Sequence, residues 1–176
     1  QTYALPISAQ SIDQEYYKVS ASNAGQATTA PASDQSVEKP RIALVIGDPA
    51  GIGPELIARL LAQARPAARV LLIGSRQAIS AGAASAGLPD PLLADDVELV
   101  DWPGLRSGDF KLSVAGPDNG RFMLQMLELG ARMVQGGQAD ALCFAPLNKS
   151  ALRAGGMQTE DELRWFADLL GRSEEH

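Results

Sequence analysis

A run of seven mostly apolar residues followed by a glycine-rich loop most constrains the fold of this chain. Residues 41–47 read Arg-Ile-Ala-Leu-Val-Ile-Gly, a composition typical of a strand that is buried on both faces of a parallel sheet. In residues 48–55 the glycines permit tight turns, and Pro54 suits the first position of a helix. Apolar residues then recur at helical spacing, namely Leu56, Ile57, Leu60, Leu61 and Ala64. This pattern predicts a strand, a glycine loop and a helix.

The alternation of strands and helices continues in the next part of the chain. Residues 69–74 indicate a second buried strand that is parallel to the first, and Ser75 is a candidate N-cap for a helix that runs to about Gly87. Residues 96–101 alternate polar and apolar side chains, as an edge strand does. An irregular connection is predicted over residues 102–117, where Gly and Pro recur.

The last third of the chain repeats the same pattern. A long helix is predicted from Asn119 to about residue 135, then another buried strand over residues 140–146, then a short helix. Thr159 and Glu162 fit a capping box at the start of a final helix, on which Trp165 and Phe166 are predicted to lie in the core. We therefore predict a layered α/β domain whose mostly parallel sheet carries helices on both faces.

Composition and charge narrow the classes of partner. The 176 residues carry 15 basic and 21 acidic side chains, a net charge of −6 that argues against nucleic acid or an anionic membrane as a partner. No apolar run reaches the roughly 18 residues of a membrane span and no secretory signal is visible, so we expect a cytoplasmic protein. One cysteine, Cys143, and one histidine, His176, cannot form a disulfide or a histidine metal cluster within the chain.

The two ends of the chain suggest a piece of a longer protein. Residues 1–40 are rich in Gln, Ser, Ala, Thr and Asp, and are predicted to form a disordered extension that is artificial in part. Residues 41–176 finish on a helical pattern without a closing strand. We expect them to be the N-terminal part of a two-domain α/β protein.

The glycine loop is the first candidate for a ligand site. It lies at the carboxyl end of a buried strand and before a helix, where open α/β sheets bind ligands. It departs from the dinucleotide fingerprint GxGxxG, since Leu56 occupies the third glycine position, and no GK[ST] of a phosphate-binding Walker loop follows. A glycine turn kept only for close packing is the alternative interpretation.

Two motifs carry a resemblance to a known family. Residues 46–55, Ile-Gly-Asp-Pro-Ala-Gly-Ile-Gly-Pro-Glu, resemble the N-terminal signature of the 4-hydroxythreonine-4-phosphate dehydrogenases of vitamin B6 biosynthesis. They are more distantly similar to the loop of isocitrate and isopropylmalate dehydrogenases. Residues 145–149, Ala-Pro-Leu-Asn-Lys, resemble a second segment of the same family, and residues 154–155 continue the likeness. The similarity covers about residues 41–171, which is roughly the first half of a family chain.

The resemblance implies an isopropylmalate dehydrogenase-like scaffold and a chemistry. Such enzymes oxidise a secondary alcohol next to a carboxylate with NAD and then decarboxylate it, with the help of a divalent metal. The metal ligands would be histidines, most of them in the half that is absent here. The cofactor would lie near Gly47, Asp48, Gly51 and Gly53. Lys149 would be the catalytic cation near the substrate, with Asn148 beside it, although a solvated lysine at a helix start is the alternative.

One departure from the family pattern concerns the substrate. Family members carry Gly-His-Thr-Glu where this chain has Glu160-Asp161-Glu162-Leu163, so two acids replace the His and Thr that contact the substrate. Carboxylates would repel a phosphate, and Asp161 and Glu162 are either substrate-binding residues or acids that favour a helix start.

The resemblance leaves the substrate open and also bears on activity and assembly. The substrate could be a phosphorylated sugar acid or a cyclohexadiene diol carboxylate, which relatives on this scaffold oxidise. The chain could also be an inactive α/β domain, and we expect residues 1–176 alone to show no turnover. The resemblance finally implies a homodimer that acts on a small molecule.

Overall fold

The computed structural model describes residues 39–63, 67–101, 114 and 116–171, all within one compact unit, Val37–His176. The strands are β1 (Arg41–Val45), β2 (Arg69–Gly74), β3 (Val97–Asp101) and β4 (Ala141–Phe144). The helices are α1 (Gly53–Gln63), α2 (Arg76–Ala86), α3 (Pro117–Gln135), α4 (Lys149–Ala154) and α5 (Glu162–Leu169), with a short 3-10 turn at Pro91–Leu93. Residues 1–38 of the predicted extension, residues 1–40, and most of the predicted connection, residues 102–117, lie outside the described residues.

The four described strands form one parallel sheet in the order β3-β2-β1-β4. Because parallel crossovers are right-handed, α1 and α2 lie on one face of the sheet and α3 lies on the other. The predicted α/β class is therefore confirmed, as is the parallel pair of β1 and β2, and among the described strands β3 lies at an edge of the sheet.

Glycines let the layers approach one another closely. A Cβ at Gly130 of α3 would meet Leu142, Ile73 and Val45, one side chain from each of three strands. A Cβ at Gly82 of α2 would lie 2.5 Å from the backbone of Pro54 in α1. The core between the layers is largely aliphatic, and its largest fully buried side chains include Ile46, Leu72, Ile73, Ile79, Met123, Met126, Leu127, Met133 and Leu152. Each such side chain contributes about 1.5–3 kcal/mol by burial.

The apolar pattern predicted the positions of helices and strands better than it predicted which side chains are buried. On α1 the buried face holds Ile57 and Leu61, whereas Leu56 and Leu60 are 40% and 48% exposed. The expectation that residues 140–146 form a fully buried strand is wrong, because β4 is an edge of the described sheet and Phe144 is exposed. Among the described residues, no helix combines the length and the hydropathy that a membrane span needs.

The predicted capping box of the last helix is also wrong. Asp161, not Thr159, is the N-cap of α5, and its side chain accepts a hydrogen bond from the backbone N–H of Arg164. The Thr159 hydroxyl donates instead to the Asp161 carbonyl, 3.0 Å away. Trp165 and Phe166 are only half-buried, so α5 lies at the margin of the core rather than inside it.

Asp140 ties the start of β1 to the start of β4. Its carboxylate accepts a 2.7 Å hydrogen bond from the Arg41 backbone N–H and lies 3.5 Å from the Arg41 guanidinium. The backbone hydrogen bond, helped by the guanidinium, holds the pKa of Asp140 below its ordinary value of 3.8. The lowered pKa means that this carboxylate stabilises the fold above about pH 3.8 and that the contribution disappears as the pH falls through the lowered pKa.

We therefore expect Asp140→Asn to lower the free energy of unfolding slightly at neutral pH and not at a pH well below 3.8. Urea denaturation at both pH values measures this. Asp95→Asn, in an exposed turn, is the control and should not reproduce the neutral-pH loss. An Asp140→Asn deficit of the same size at both pH values would show that the carboxylate charge is not the cause.

Candidate functional site

The fold brings two loops together at the point where the chain reverses its direction across the sheet. The β1 loop, residues 46–52, leads to α1, and the β4 loop, residues 145–148, leads to α4. Strands β1 and β4 are neighbours, and the crossover from β1 to β2 and the crossover from β3 to β4 proceed in opposite directions along the sheet. Ligands of open α/β sheets bind at the carboxyl ends of strands at such a reversal.

The two loops are joined by backbone contacts. The Asp48 N–H donates to the Pro146 carbonyl at 3.1 Å, and the Ala145 N–H donates to the Val45 carbonyl at 2.9 Å. Gly47 has φ +73°, and a Cβ there would lie 2.5 Å from the Pro146 oxygen. A side chain at this position would therefore be strained and would also push the loops apart.

Gly51 in the β1 loop and Gly53 at the start of α1 have surroundings that differ from those of Gly47. Gly53 is buried, and a Cβ there would collide with the Ile46 carbonyl oxygen. Close packing therefore requires a glycine at this position. Gly51 and Ile52 form an exposed tip, and the three atoms nearest to a Cβ at Gly51 would all belong to Asp48, at 3.3 Å or more. Of the glycines predicted to line a cofactor, Gly51 is thus the one whose surface is open to a ligand.

Asp48 is buried, with 6% exposure, and its carboxylate acts inside the loop. One oxygen, Oδ1, accepts a 2.9 Å hydrogen bond from the Ala50 N–H and lies 3.4 Å from the Asn119 amide nitrogen. Asn119 also donates to the Val114 carbonyl at 3.2 Å. The predicted cofactor residue Asp48 therefore braces the β1 loop against the start of α3.

Sequence reasoning missed the role of Asn119. It appeared only as the predicted start of a helix that in fact begins at Pro117. An asparagine in the first turn of a helix is ordinary, and its partner Asp48 is 71 residues away in the sequence. No local signal could have joined these two residues.

The β4 loop delivers the predicted catalytic cation. Lys149 is the first residue of α4, and its side chain is 61% exposed. Asn148 precedes it as the N-cap, and its side-chain oxygen accepts from the Ala151 N–H at 3.1 Å. The Asn148 oxygen is thus engaged in the helix start, while the Lys149 side chain is largely exposed beside the loop.

The two acidic residues predicted to bind the substrate make different contacts in the structure. Asp161 caps α5, which is the helix-start alternative for this residue. Glu162 lies 3.8 Å from the Lys149 ammonium, measured from Oε2 to Nζ, and its side chain is 17% exposed. The structure therefore brings Lys149 and Glu162 together, and it gives Asp161 a local task. The predicted roles in substrate binding stay predictions for Asn148, Lys149, Asp161 and Glu162.

The described part of the chain holds no group of three or more His, Cys, Asp or Glu side chains that could bind a metal ion. These residues therefore do not fit a metal centre by themselves. His176 lies outside the described residues. That the ligands of a divalent metal lie in another part of the protein stays a prediction.

The fold and the paired loops define an open parallel α/β scaffold of the ligand-binding type, and comparison with known proteins identifies its family. The family model of the pyridoxal phosphate biosynthetic protein PdxA matches residues 60–176, so the chain belongs to this family. A Pseudomonas aeruginosa protein provisionally named 4-hydroxythreonine-4-phosphate dehydrogenase 2 is 42% identical over 145 residues, which cover 75% of this chain and 43% of the relative.

Solved structures agree with this assignment. A 4-hydroxythreonine-4-phosphate dehydrogenase from Burkholderia phymatum matches with a TM-score of 0.69 and 29% identity, over 77% of this chain and 45% of that one. A terephthalate 1,2-cis-dihydrodiol dehydrogenase from Burkholderia xenovorans matches with a TM-score of 0.61 and 27% identity, over 76% and 41%. The chain thus spans less than half the length of the relatives it matches, and those relatives are named as dehydrogenases.

Proposed function

We propose that the protein carrying this sequence is an NAD-dependent, metal-assisted dehydrogenase that oxidises a secondary alcohol next to a carboxylate and then releases CO₂. The observation that carries the proposal is the contact of the β1 loop with the β4 loop at the chain reversal. This contact sets the exposed Gly51 tip and the Lys149 segment at the carboxyl ends of two adjacent strands. The membership in a dehydrogenase family supports the same reaction type.

The chemistry assigns distinct tasks to the described residues. When bound, NAD⁺ would accept the hydride that leaves the alcohol carbon as the hydroxyl loses its proton, which converts the alcohol to a ketone. The ketone would then take up the electron pair of the C–C bond that breaks when CO₂ leaves, and the carbon that lost CO₂ would be protonated. Lys149 would bind an anionic group of the substrate and orient it. Asp48 and Asn119 would hold the β1 loop, so that the backbone at Gly51 meets the cofactor at a fixed position. The metal ligands and much of the cleft would come from other residues of the protein, and a homodimer remains part of the proposal.

The substrate class is the open part of the proposal. The names of the relatives include both a phosphorylated substrate and a diol without phosphate. A phosphorylated sugar acid is a further candidate. A non-catalytic α/β domain is the alternative from another class of function.

A thermal shift experiment separates an enzyme from a non-catalytic domain. At 100 times its dissociation constant, NAD should stabilise a competent protein by about 2.7 kcal/mol, which corresponds to a rise of several degrees in Tm. Gly51→Val should weaken the NAD response, since its added side chain would occupy the exposed tip, while the Tm without ligand stays close to that of the wild type.

Gly116→Val is the matched control, because no described atom lies within 4 Å of a Cβ at Gly116. It should respond to NAD as the wild type does. A protein whose Tm does not change with NAD in the presence of Mg²⁺ or Mn²⁺ would contradict the proposed cofactor. An equal response in wild type and Gly51→Val would contradict the location of the site.

A further inference from the structure

Lys149 is paired within the protein. Its ammonium lies 3.8 Å from the Glu162 carboxylate, and the two residues begin different helices, α4 and α5. They are 13 positions apart, so the pair is not a contact between successive turns of one helix. Glu162 is the more buried partner, with 17% side-chain exposure against 61% for Lys149.

The position of Glu162 is held from both sides. On one side, the Asp161 side chain caps α5 through the Arg164 N–H at 2.8 Å. On the other side, the Phe166 ring packs 6.2 Å from the Phe144 ring at the end of β4, centroid to centroid. The cap and the ring contact fix the first turn of α5 relative to the strand that leads to Lys149. The fold therefore holds the negative charge of Glu162 at a fixed position beside Lys149.

We propose that Glu162 is a specificity-determining residue, which lowers the affinity of the Lys149 position for a dianionic phosphate relative to an uncharged or singly charged group. This inference rests on the proposed function, since it assumes that Lys149 meets the substrate. Lys149 and Glu162 together carry no net charge, so an anion gains little attraction until it reaches hydrogen-bonding distance of the Lys149 ammonium. A phosphate, which carries about two negative charges near neutral pH, meets about twice the repulsion from Glu162 that a carboxylate meets.

The side chains of α5 do not offset this repulsion. Glu160 and Asp161 precede Glu162, and Arg164, the one cation on α5, is 3.7 Å from Glu160. The Asn148 side-chain oxygen is engaged by the Ala151 N–H, which leaves only the Asn148 amide nitrogen as a donor. Glu162 therefore favours a hydroxyl or a carboxylate over a phosphate at Lys149.

The test compares two substrates that differ only in the phosphate, 4-hydroxythreonine and its 4-phosphate, with the natural protein that carries this sequence. Glu162→Gln should lower the KM for the phosphorylated compound about tenfold with kcat nearly unchanged, and should change the KM for 4-hydroxythreonine less than threefold. Glu160→Gln removes an equal charge two positions away and should change neither KM more than twofold. Adding Lys149→Met to Glu162→Gln should abolish the gain, because the two residues act as a pair.

Calorimetric binding of inorganic phosphate gives a readout that needs no turnover. Glu162→Gln should bind phosphate about tenfold more tightly than the wild type, and Glu160→Gln should not. Equal phosphate affinity in the wild type and Glu162→Gln, or an equal gain in Glu160→Gln, would overturn the role of Glu162. If no variant forms NADH from either substrate while phosphate binding still responds to Glu162→Gln, the proposed function fails and the effect of Glu162 on anion binding stands.

Discussion

Lys149→Met lowers kcat/KM at least 100-fold in the reaction proposed for this protein. The substitution keeps an unbranched side chain but removes the cation that the β4 loop places at the carboxyl end of the sheet. A charge-assisted hydrogen bond to an anionic substrate group is lost, and a loss of about 2.7 kcal/mol corresponds to a factor of 100. Steady-state kinetics with NAD and a secondary-alcohol acid measure the effect.

Arg153→Met is the matched control for that variant. Arg153 is an exposed cation on the same helix, α4, but in its last turn. It should retain kcat/KM within about threefold of the wild type, and both variants should keep the wild-type Tm, since both side chains are largely solvated. Wild-type kcat/KM in Lys149→Met would show that this lysine does not meet the substrate.

The second large effect concerns stability, and it opposes the usual helix preference. Gly120→Ala should raise helix propensity by about 1 kcal/mol, because alanine is the best helix former. In this structure, however, a Cβ at Gly120 would overlap the Ala151 carbonyl oxygen of α4, and Gly155 closes the same crossing. Both obstacles are backbone atoms that cannot rotate away. We expect a net loss of about 3 kcal/mol and a fall in Tm of about 10 °C.

Gly116→Ala tests whether the loss at Gly120 comes from the crossing of α3 and α4. Gly116 is the N-cap of α3, four positions earlier, and a Cβ there meets no described atom within 4 Å. It should lower the free energy of unfolding by no more than about 1 kcal/mol, since glycine is a better N-cap than alanine, and so by clearly less than Gly120→Ala. If Gly120→Ala were as stable as the wild type by urea denaturation, the close approach of the two helices would be disproved.

Much of the fold followed from the sequence because each element had a local cause. The apolar runs of β1 and β2 predicted buried parallel strands, and the alternation in β3 predicted an edge. Element ends were also readable where a backbone requirement was strong. Gly87 has φ +66° at the end of α2, close to where the predicted helix stopped.

The predictions were wrong where tertiary packing selected between alternatives that the local sequence favours equally. Thr159 and Asp161 are both good N-caps, and only the path of the chain into α5 selects Asp161. The apolar residues of β4 predicted burial, but neither Phe144 nor its neighbours reveal that no described strand pairs with the outer edge of β4. Leu56 likewise fits a core stripe by spacing, although its face of α1 is open.

The candidate site was predictable only in its local parts. The sequence indicated the glycine loop and Lys149, and the structure places both at the carboxyl ends of adjacent strands. The brace between Asp48 and Asn119 and the pair of Lys149 with Glu162 join residues that are distant in the sequence. Such contacts depend on how helices and strands pack against one another, so no local sequence motif could predict them.

The measurement that tests the central claim most directly is NADH formation by the natural protein that carries this sequence. The substrates are 4-hydroxythreonine, its 4-phosphate, a phosphorylated sugar acid and a cyclohexadiene diol carboxylate, each assayed with a divalent metal and with excess chelator. We predict that at least one of them gives NADH together with CO₂, and that the chelator stops the reaction. No NADH from any of them, or NADH formation that is equally fast with chelator, would contradict an NAD-dependent, metal-assisted dehydrogenase.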